Sequence, residues 1–441
     1  MPLPSSVPDA GTVAANTKPD RDRAVDVARL AALVVVMFGH CALLLATIDS
    51  TGVRIGNLLG AVPALAPITW VVQVMPLFFL AGGAAGAYGW HGASWGTWLV
   101  VRAQRLCRPV FWYLGFWVVA LAVAAAILGA DSAADIGRES VALLWFLGVY
   151  LVALAFVPVL TRMRTGRSLA AVVALLLLAS AGLDGVRLAT GTPMSAVLNF
   201  LIVWLIPVAI GVGYARGLVR MPYAVAAAAA AFTAQVLLDA FGPYETPLVV
   251  TGTEHFSNVS PPTLLLALHC TWVSGAFVAA AGPIRRWAQR PRVWHVVAVG
   301  NGGAMTLYLW HIPAIAVATL LLHAVGLDAY NVAAPGFWAR LGLRAAVFAV
   351  VMAVMFVALS PLEHRRLPWW DNPVHATGAR STLAGILVCL SGIALVLLAK
   401  NGLAGVDGYT MLGGFTLAAV AARMCATGAR RQTSPHRSSS R

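Results

Sequence analysis

"VDVARLAALVVVMFGH" (Val25–His40) places an Asp and an Arg at the start of an apolar run and a His at its end. The run reads as helix and, continued to 48, reaches the roughly 20 apolar residues that cross a bilayer. The whole chain follows suit. Of its 441 residues 60% are hydrophobic and only 10% charged, against about a quarter charged in ordinary soluble domains. A soluble multidomain protein is excluded, because there is too little polar surface to cover it. The reading is an all-α polytopic membrane protein with about twelve transmembrane helices. Their expected positions are 25–48, 66–89, 109–130, 139–161, 168–185, 194–215, 223–241, 261–282, 296–323, 338–360, 382–400 and 408–426. The ninth is a candidate for a break, since Pro313 removes a backbone donor two residues after His311.

The net charge of +14 is distributed as a topology signal. Counting the N-terminal segment, alternate loops and the C-terminal end, 24 of the 30 Lys and Arg residues fall on one side. By the positive-inside rule that side is cytoplasmic, and both termini lie there. Nucleic acid is therefore not an expected partner; membrane lipids are. The cysteines Cys41, Cys107, Cys270, Cys389 and Cys425 lie in apolar segments without CxxC spacing, so neither a disulfide scaffold nor a metal site is expected. Residues 1–23 and 428–441 read as disordered tails, the second basic and Ser-rich. No short apolar segment with a cleavage site precedes the first span, which reads as a retained helix.

Ionisable groups within membrane helices are functional candidates by default, because they face a cavity or a partner. Arg29 and His40 are eleven positions apart, three helical turns and roughly 16 Å along one face. Asp26 stands one turn before Arg29 on the same stripe. An ion pair between Asp26 and Arg29, with His40 bonded to a carbonyl, is the plain structural alternative. His311 beside Trp310 could likewise be satisfied by backbone that Pro313 frees. Glu254 and His255 lie in a long outer loop, about 242–260, that carries no Lys or Arg. They could touch an acceptor or simply be solvated. Arg344 could hold an anion from the outside or snorkel to the interface.

An Arg, ten residues and a His in the first helix resembles the signature of the acyltransferase-3 family of integral membrane acyltransferases. Further segments resemble that family in order: "VMPLFFLAGG" (Val74–Gly83), "VRAQRLCRP" (Val101–Pro109), "LLWFLGVYL" (Leu143–Leu151), "NVSPPTLLLAL" (Asn258–Leu268) and "AMTLYLWHIP" (Ala304–Pro313). The resemblance implies a ten-helix acyltransferase domain over 24–365. A linker and two additional helices then occupy 366–427. It also implies transfer of an acyl group, usually acetyl, from acyl-CoA to a hydroxyl. The acceptor would be a carbohydrate, glycolipid, natural product or other extracytoplasmic molecule, and the protein would sit in the cytoplasmic membrane. Acyl transfer to an alcohol needs that hydroxyl deprotonated, and His is suited to this near neutral pH. His40 and Arg29 are thus the catalytic candidates, with His40 as base or transient acyl carrier. Arg29, Arg102, Arg105 and Arg108 are the candidates for CoA phosphates, although the last three also serve topology. Asp26, His311, Glu254 and Arg344 are the acceptor-side candidates. One departure is that "PLFFLAGGAAGAY" has Ala where many relatives have Ser before the glycine, so no role of that serine transfers. A twelve-helix transporter or flippase is the alternative, weakened by the absence of repeat-related halves; a scaffold subunit would leave Arg29 and His40 unexplained.

Overall fold

Asp22 starts the first helix by accepting a hydrogen bond from the Ala24 amide at 3.0 Å, which satisfies one of the donors a helix start leaves unpaired. The computed structural model describes residues 10–18, 21–49 and 52–427. Among these are twelve helical segments long and apolar enough to cross a membrane. In chain order they are Arg23–Leu43, Pro63–Tyr88, Trp95–Ile127, Ala130–Leu154, Gly166–Thr190 and Pro193–Ala215, then Met221–Phe241, Leu264–Trp287, Ala304–His323, Phe337–His364, Gly378–Asn401 and Gly405–Ala426. The chain is a multi-pass, all-α membrane protein. The expected C-terminal tail, 428–441, lies outside the described residues, as do residues 1–9. Within the remaining N-terminal stretch Ala10–Ala15 is helical, and Thr17 Oγ1 accepts a hydrogen bond from Trp294 Nε1 at 2.6 Å.

Among the spans whose bounds differ from the sequence expectation, three bear on the site. The first span stops at Leu43 rather than 48 and runs into an antiparallel hairpin, β1 (Leu44–Asp49) and β2 (Gly52–Asn57). Thr47, Ile48, Val53 and Ile55 supply the β-branched residues that favour a pleated strand. Leu45 of this hairpin is buried with Leu58, Ala329 and Phe337. The third span begins at Trp95, not 109, so Arg102, Arg105 and Arg108 stand on the helix itself rather than in a loop. The ninth span is not interrupted at Pro313. The discontinuity lies earlier, at Gly303, between a helix over Pro291–Gly302 and the one over Ala304–His323. Glu363 caps the second piece, its Oε2 accepting from the Thr306 amide at 2.9 Å and the Thr306 hydroxyl at 2.8 Å. A carboxylate there also meets the positive end of the helix dipole.

The chain divides into two compact units. The first comprises 1–89 and 156–365, which holds the first, second and fifth to tenth spans. The second comprises 90–155 and 366–441, which holds the third, fourth, eleventh and twelfth. Small residues let backbones approach closely in both, as in membrane helix packing generally. In the first unit a Cβ on Gly83 would collide with the Val208 carbonyl, and one on Gly211 with the Leu80 carbonyl. Phe79 stacks on Trp204 beside them, ring centroids 4.7 Å apart. In the second unit Gly148 and Gly392 face each other in the same way.

These contacts predict the effect of adding one methyl group. Gly83→Ala should lower the thermal unfolding midpoint in detergent by the equivalent of about 1–3 kcal/mol, the usual penalty of overpacking. Gly115→Ala, where a Cβ meets open space, should leave the midpoint unchanged or raise it slightly.

Candidate functional site

Near the C-terminal end of the first span, His40 meets His311 of the ninth. His40 Nδ1 lies 2.9 Å from His311 Nε2, and the rings are stacked with planes 11° apart and centroids separated by 5.2 Å. His311 is fully buried, while His40 keeps part of its surface open. Hydrogen-bond partners fix where the protons sit. His311 Nδ1 is 2.8 Å from the Tyr308 carbonyl, which can only accept, so Nδ1 carries the proton. In a neutral ring His311 Nε2 is then an acceptor, and His40 Nδ1 must be the donor to it. His40 Nε2 is left as a bare lone pair, with no hydrogen bond to any described residue. The carbonyl used is that of Tyr308, with Leu307 at 3.3 Å, whereas Pro313 would free the carbonyl of Leu309. His311 is therefore not simply answering the proline.

The expected ion pair between Asp26 and Arg29 does not form. Asp26 is held in a two-point bond by Arg21, with Nε to Oδ2 at 2.6 Å and Nη2 to Oδ1 at 3.0 Å. Arg21 approaches from outside the helix and engages both oxygens. Asp26 is consequently buried and its carboxylate occupied. Arg29, half-buried, makes no hydrogen bond or ion pair among the described residues. Neighbouring groups at this end are engaged as well. Asp22 Oδ2 accepts from Tyr214 at 2.7 Å, Arg285 at 3.1 Å and Tyr88 at 3.1 Å. Burial pushes the Asp22 carboxyl up, but the Tyr214 and Arg285 bonds outweigh it and hold its pKa below the ordinary value. Arg23 donates to the Ala288 carbonyl at 3.1 Å and covers the Trp294 ring.

Arg344 does not snorkel. It is 2% exposed, and its Nη2 donates to the Cys41 carbonyl at 2.6 Å. That carbonyl is one of the last four of the first span, which have no partner within the helix. A cation at a helix C-terminus also suits the dipole. Phe348, one turn on, packs edge-on against Phe38 with centroids 5.4 Å apart. Glu254 serves its own loop, with Oε2 accepting from the Thr251 amide at 3.1 Å, the Thr251 hydroxyl at 2.6 Å and the Thr253 amide at 3.1 Å. These bonds hold its pKa down although burial opposes them. His269, absent from the sequence candidates, is fully buried, with its Nε2 2.7 Å from the Gln73 carbonyl. A histidine within "LLLALHC" was the available signal.

The remaining three arginines belong to the second unit. Arg108 pairs with Asp371 at 3.3 Å. Arg102 lies over the Trp98 ring, 3.6 Å from its centroid. Arg105 is exposed and makes no hydrogen bond or ion pair among the described residues. No cluster of His, Cys, Asp or Glu able to hold a metal occurs among the described residues.

A family model described as an acyltransferase domain matches residues 22–360. No curated protein and no solved structure matches the chain.

The proton arrangement is directly measurable. Nitrogen NMR of histidine-labelled protein should show His40 protonated on Nδ1, and His311→Phe should abolish that signature by removing the acceptor.

Proposed function

Because the chain belongs to the acyltransferase-3 family of integral membrane acyltransferases, with 22–360 matched, we propose that it carries an acyl group from acyl-CoA to a hydroxyl on an extracytoplasmic acceptor, with His40 at the reacting centre. The observation that carries this reading is the His40–His311 pair, which leaves His40 Nε2 as an unprotonated base on a membrane helix. The acceptor hydroxyl gives its proton to Nε2 as its oxygen attacks the thioester carbonyl. The tetrahedral intermediate then collapses, the C–S bond breaks, and the CoA thiolate takes the proton from His40. While His40 is charged, its Nδ1–H bond to His311 becomes charge-assisted and stronger. The hydrogen bond therefore favours the state that forms during reaction, which is the kind of interaction that accelerates chemistry. The same Nε2 lone pair would also serve as nucleophile, forming an acyl-histidine that the acceptor then resolves.

Arg29, without a protein partner, is assigned to a donor phosphate, since it offers its guanidinium at the end the basic residues place in the cytoplasm. Arg105 is assigned the same chemistry. Asp26, held by Arg21, is assigned to shaping this end of the helix rather than to the acceptor. Arg344 is assigned to holding the last turn of the first span beside His40, and Glu254 to its loop. Acetyl is the acyl group the family favours, and a glycan, glycolipid or natural product supplies the acceptor. The cytoplasmic membrane is the proposed location. The family match is to an acyltransferase, not to a transporter.

Two measurements test this. His40→Ala should lower acyl transfer by at least about a hundredfold, the lower range for a general base, with unchanged membrane level and unfolding midpoint; retained turnover would remove His40 from the reaction. Arg29→Gln should weaken acyl-CoA binding about tenfold, as loss of a charged hydrogen bond does. Mass spectrometry of glycans and metabolites from cells with and without the protein would give the acyl group as a mass difference and the acceptor as its carrier.

A further inference from the structure

The segment Leu367–Asn372 (LPWWDN) links the tenth and eleventh spans and lies beyond the matched 22–360. A connector of this kind is normally loosely held. Here four side chains from two helices converge on it. Arg423 of the twelfth span, 1% exposed, donates from Nε to the Trp370 carbonyl at 3.0 Å. Its Nη2 reaches the carbonyls of Trp369 at 2.9 Å and Asn372 at 3.0 Å. Its Nη1 is buried without a partner, and no carboxylate neutralises it among the described residues. Gln104 of the third span donates to the carbonyls of Trp370 and Asn372, and the Trp370 indole returns a bond to the Gln104 carbonyl at 3.0 Å. Arg108 pairs with Asp371, which also accepts from the Leu367 amide at 2.7 Å. Phe111 meets the Trp370 ring edge-on.

The clamp imposes a costly conformation on Trp369. Its φ is +66°, a region that bulky side chains avoid. Strain of this kind persists where the surroundings over-determine it, and it clusters at ligand sites. The result is an indole 43% exposed, with the Arg423 guanidinium 5.3 Å from its ring centroid. Gln104 and Arg108, four residues apart, present the helix face that carries the turn. Arg105 flanks that face, exposed and without a protein partner. Arg102 precedes Arg105 by three residues and is stacked on Trp98. An aromatic plate and a buried cation thus sit on the turn that Gln104 holds, and the exposed Arg105 is the next residue of the same helix. A nucleotide carrying phosphates offers the matching chemistry, a π-face to stack and anionic oxygens for arginine.

We infer that this turn is the base-stacking wall of a nucleotide subsite for the CoA donor. Trp369 receives the adenine, Arg105 takes a phosphate, and Arg423 is a positioning residue that holds the plate in place. The inference rests on the acyl-CoA reading and gives the last helix a part in it. The test is binding of CoA and of adenosine bisphosphate, its nucleotide end, to the purified full-length protein. Trp369→Ala should weaken both about tenfold, the size of one lost base–aromatic stack, and Trp369→Phe should restore most of that affinity. Arg423→Lys should weaken both in the same way, because an ammonium does not fork to three carbonyls. Turnover of acetyl-pantetheine, which lacks the nucleotide, should be unchanged in the Trp369 variants. Wild-type binding of CoA with equal affinity in Trp369→Ala and Arg423→Lys would overturn the subsite and leave the donor reading standing. Failure of the wild type to bind CoA would overturn both.

Discussion

An imidazole placed inside a membrane helix must have its ring nitrogens accounted for, and the 2.9 Å contact between His40 and His311, together with the Tyr308 carbonyl, does so for three of the four. Holding that contact requires register along both helices. The ninth span is fixed five residues before His311 by the Glu363 carboxylate on Thr306, after a break at Gly303 that frees its start from the preceding helix. The first span is fixed just beyond His40, where Arg344 takes the Cys41 carbonyl and Phe348 packs on Phe38. The tenth span contributes Glu363 and Arg344 alike, so one helix sets the height of both histidines. The fourth nitrogen, His40 Nε2, makes no hydrogen bond among the described residues.

Buried arginine in this protein is matched to backbone carbonyls more than to carboxylates. Arg187 donates to Ser257 and covers Phe256, Arg344 holds Cys41, and Arg423 holds three carbonyls of one turn. A guanidinium suits this role because its planar fork reaches several acceptors and it stays charged. Each of these carbonyls ends a helix or lies in a loop, where the backbone has no neighbour of its own to bond. Against that background the guanidiniums of Arg29 and Arg105 make no hydrogen bond or ion pair among the described residues.

The sequence was most legible where one-dimensional pattern is the cause of structure. Long apolar runs forced helices, because the need to satisfy backbone groups in lipid acts on each segment separately. It was least legible where the partner comes from far along the chain. Asp26 and Arg29 share a helix face and looked like a pair, but Arg21 reaches both carboxylate oxygens from the preceding turn. The arginines near 105 read as a loop because charge lowers mean hydropathy, yet packing carries the helix back to Trp95. The hairpin after Leu43 was hidden by its own apolar β-branched residues, which strands and membrane helices use equally.

By itself the sequence determined that the chain crosses a membrane many times and that Arg29 and His40 share one stripe of its first helix. Composition and the 3.6-residue period suffice for both. Tertiary structure decided which of these groups are available. It brought His311 to His40 across 271 positions, gave Asp26 to Arg21, and buried Arg344 on a carbonyl. Such assignments depend on distances between helices, and a pattern along one helix carries no information about those.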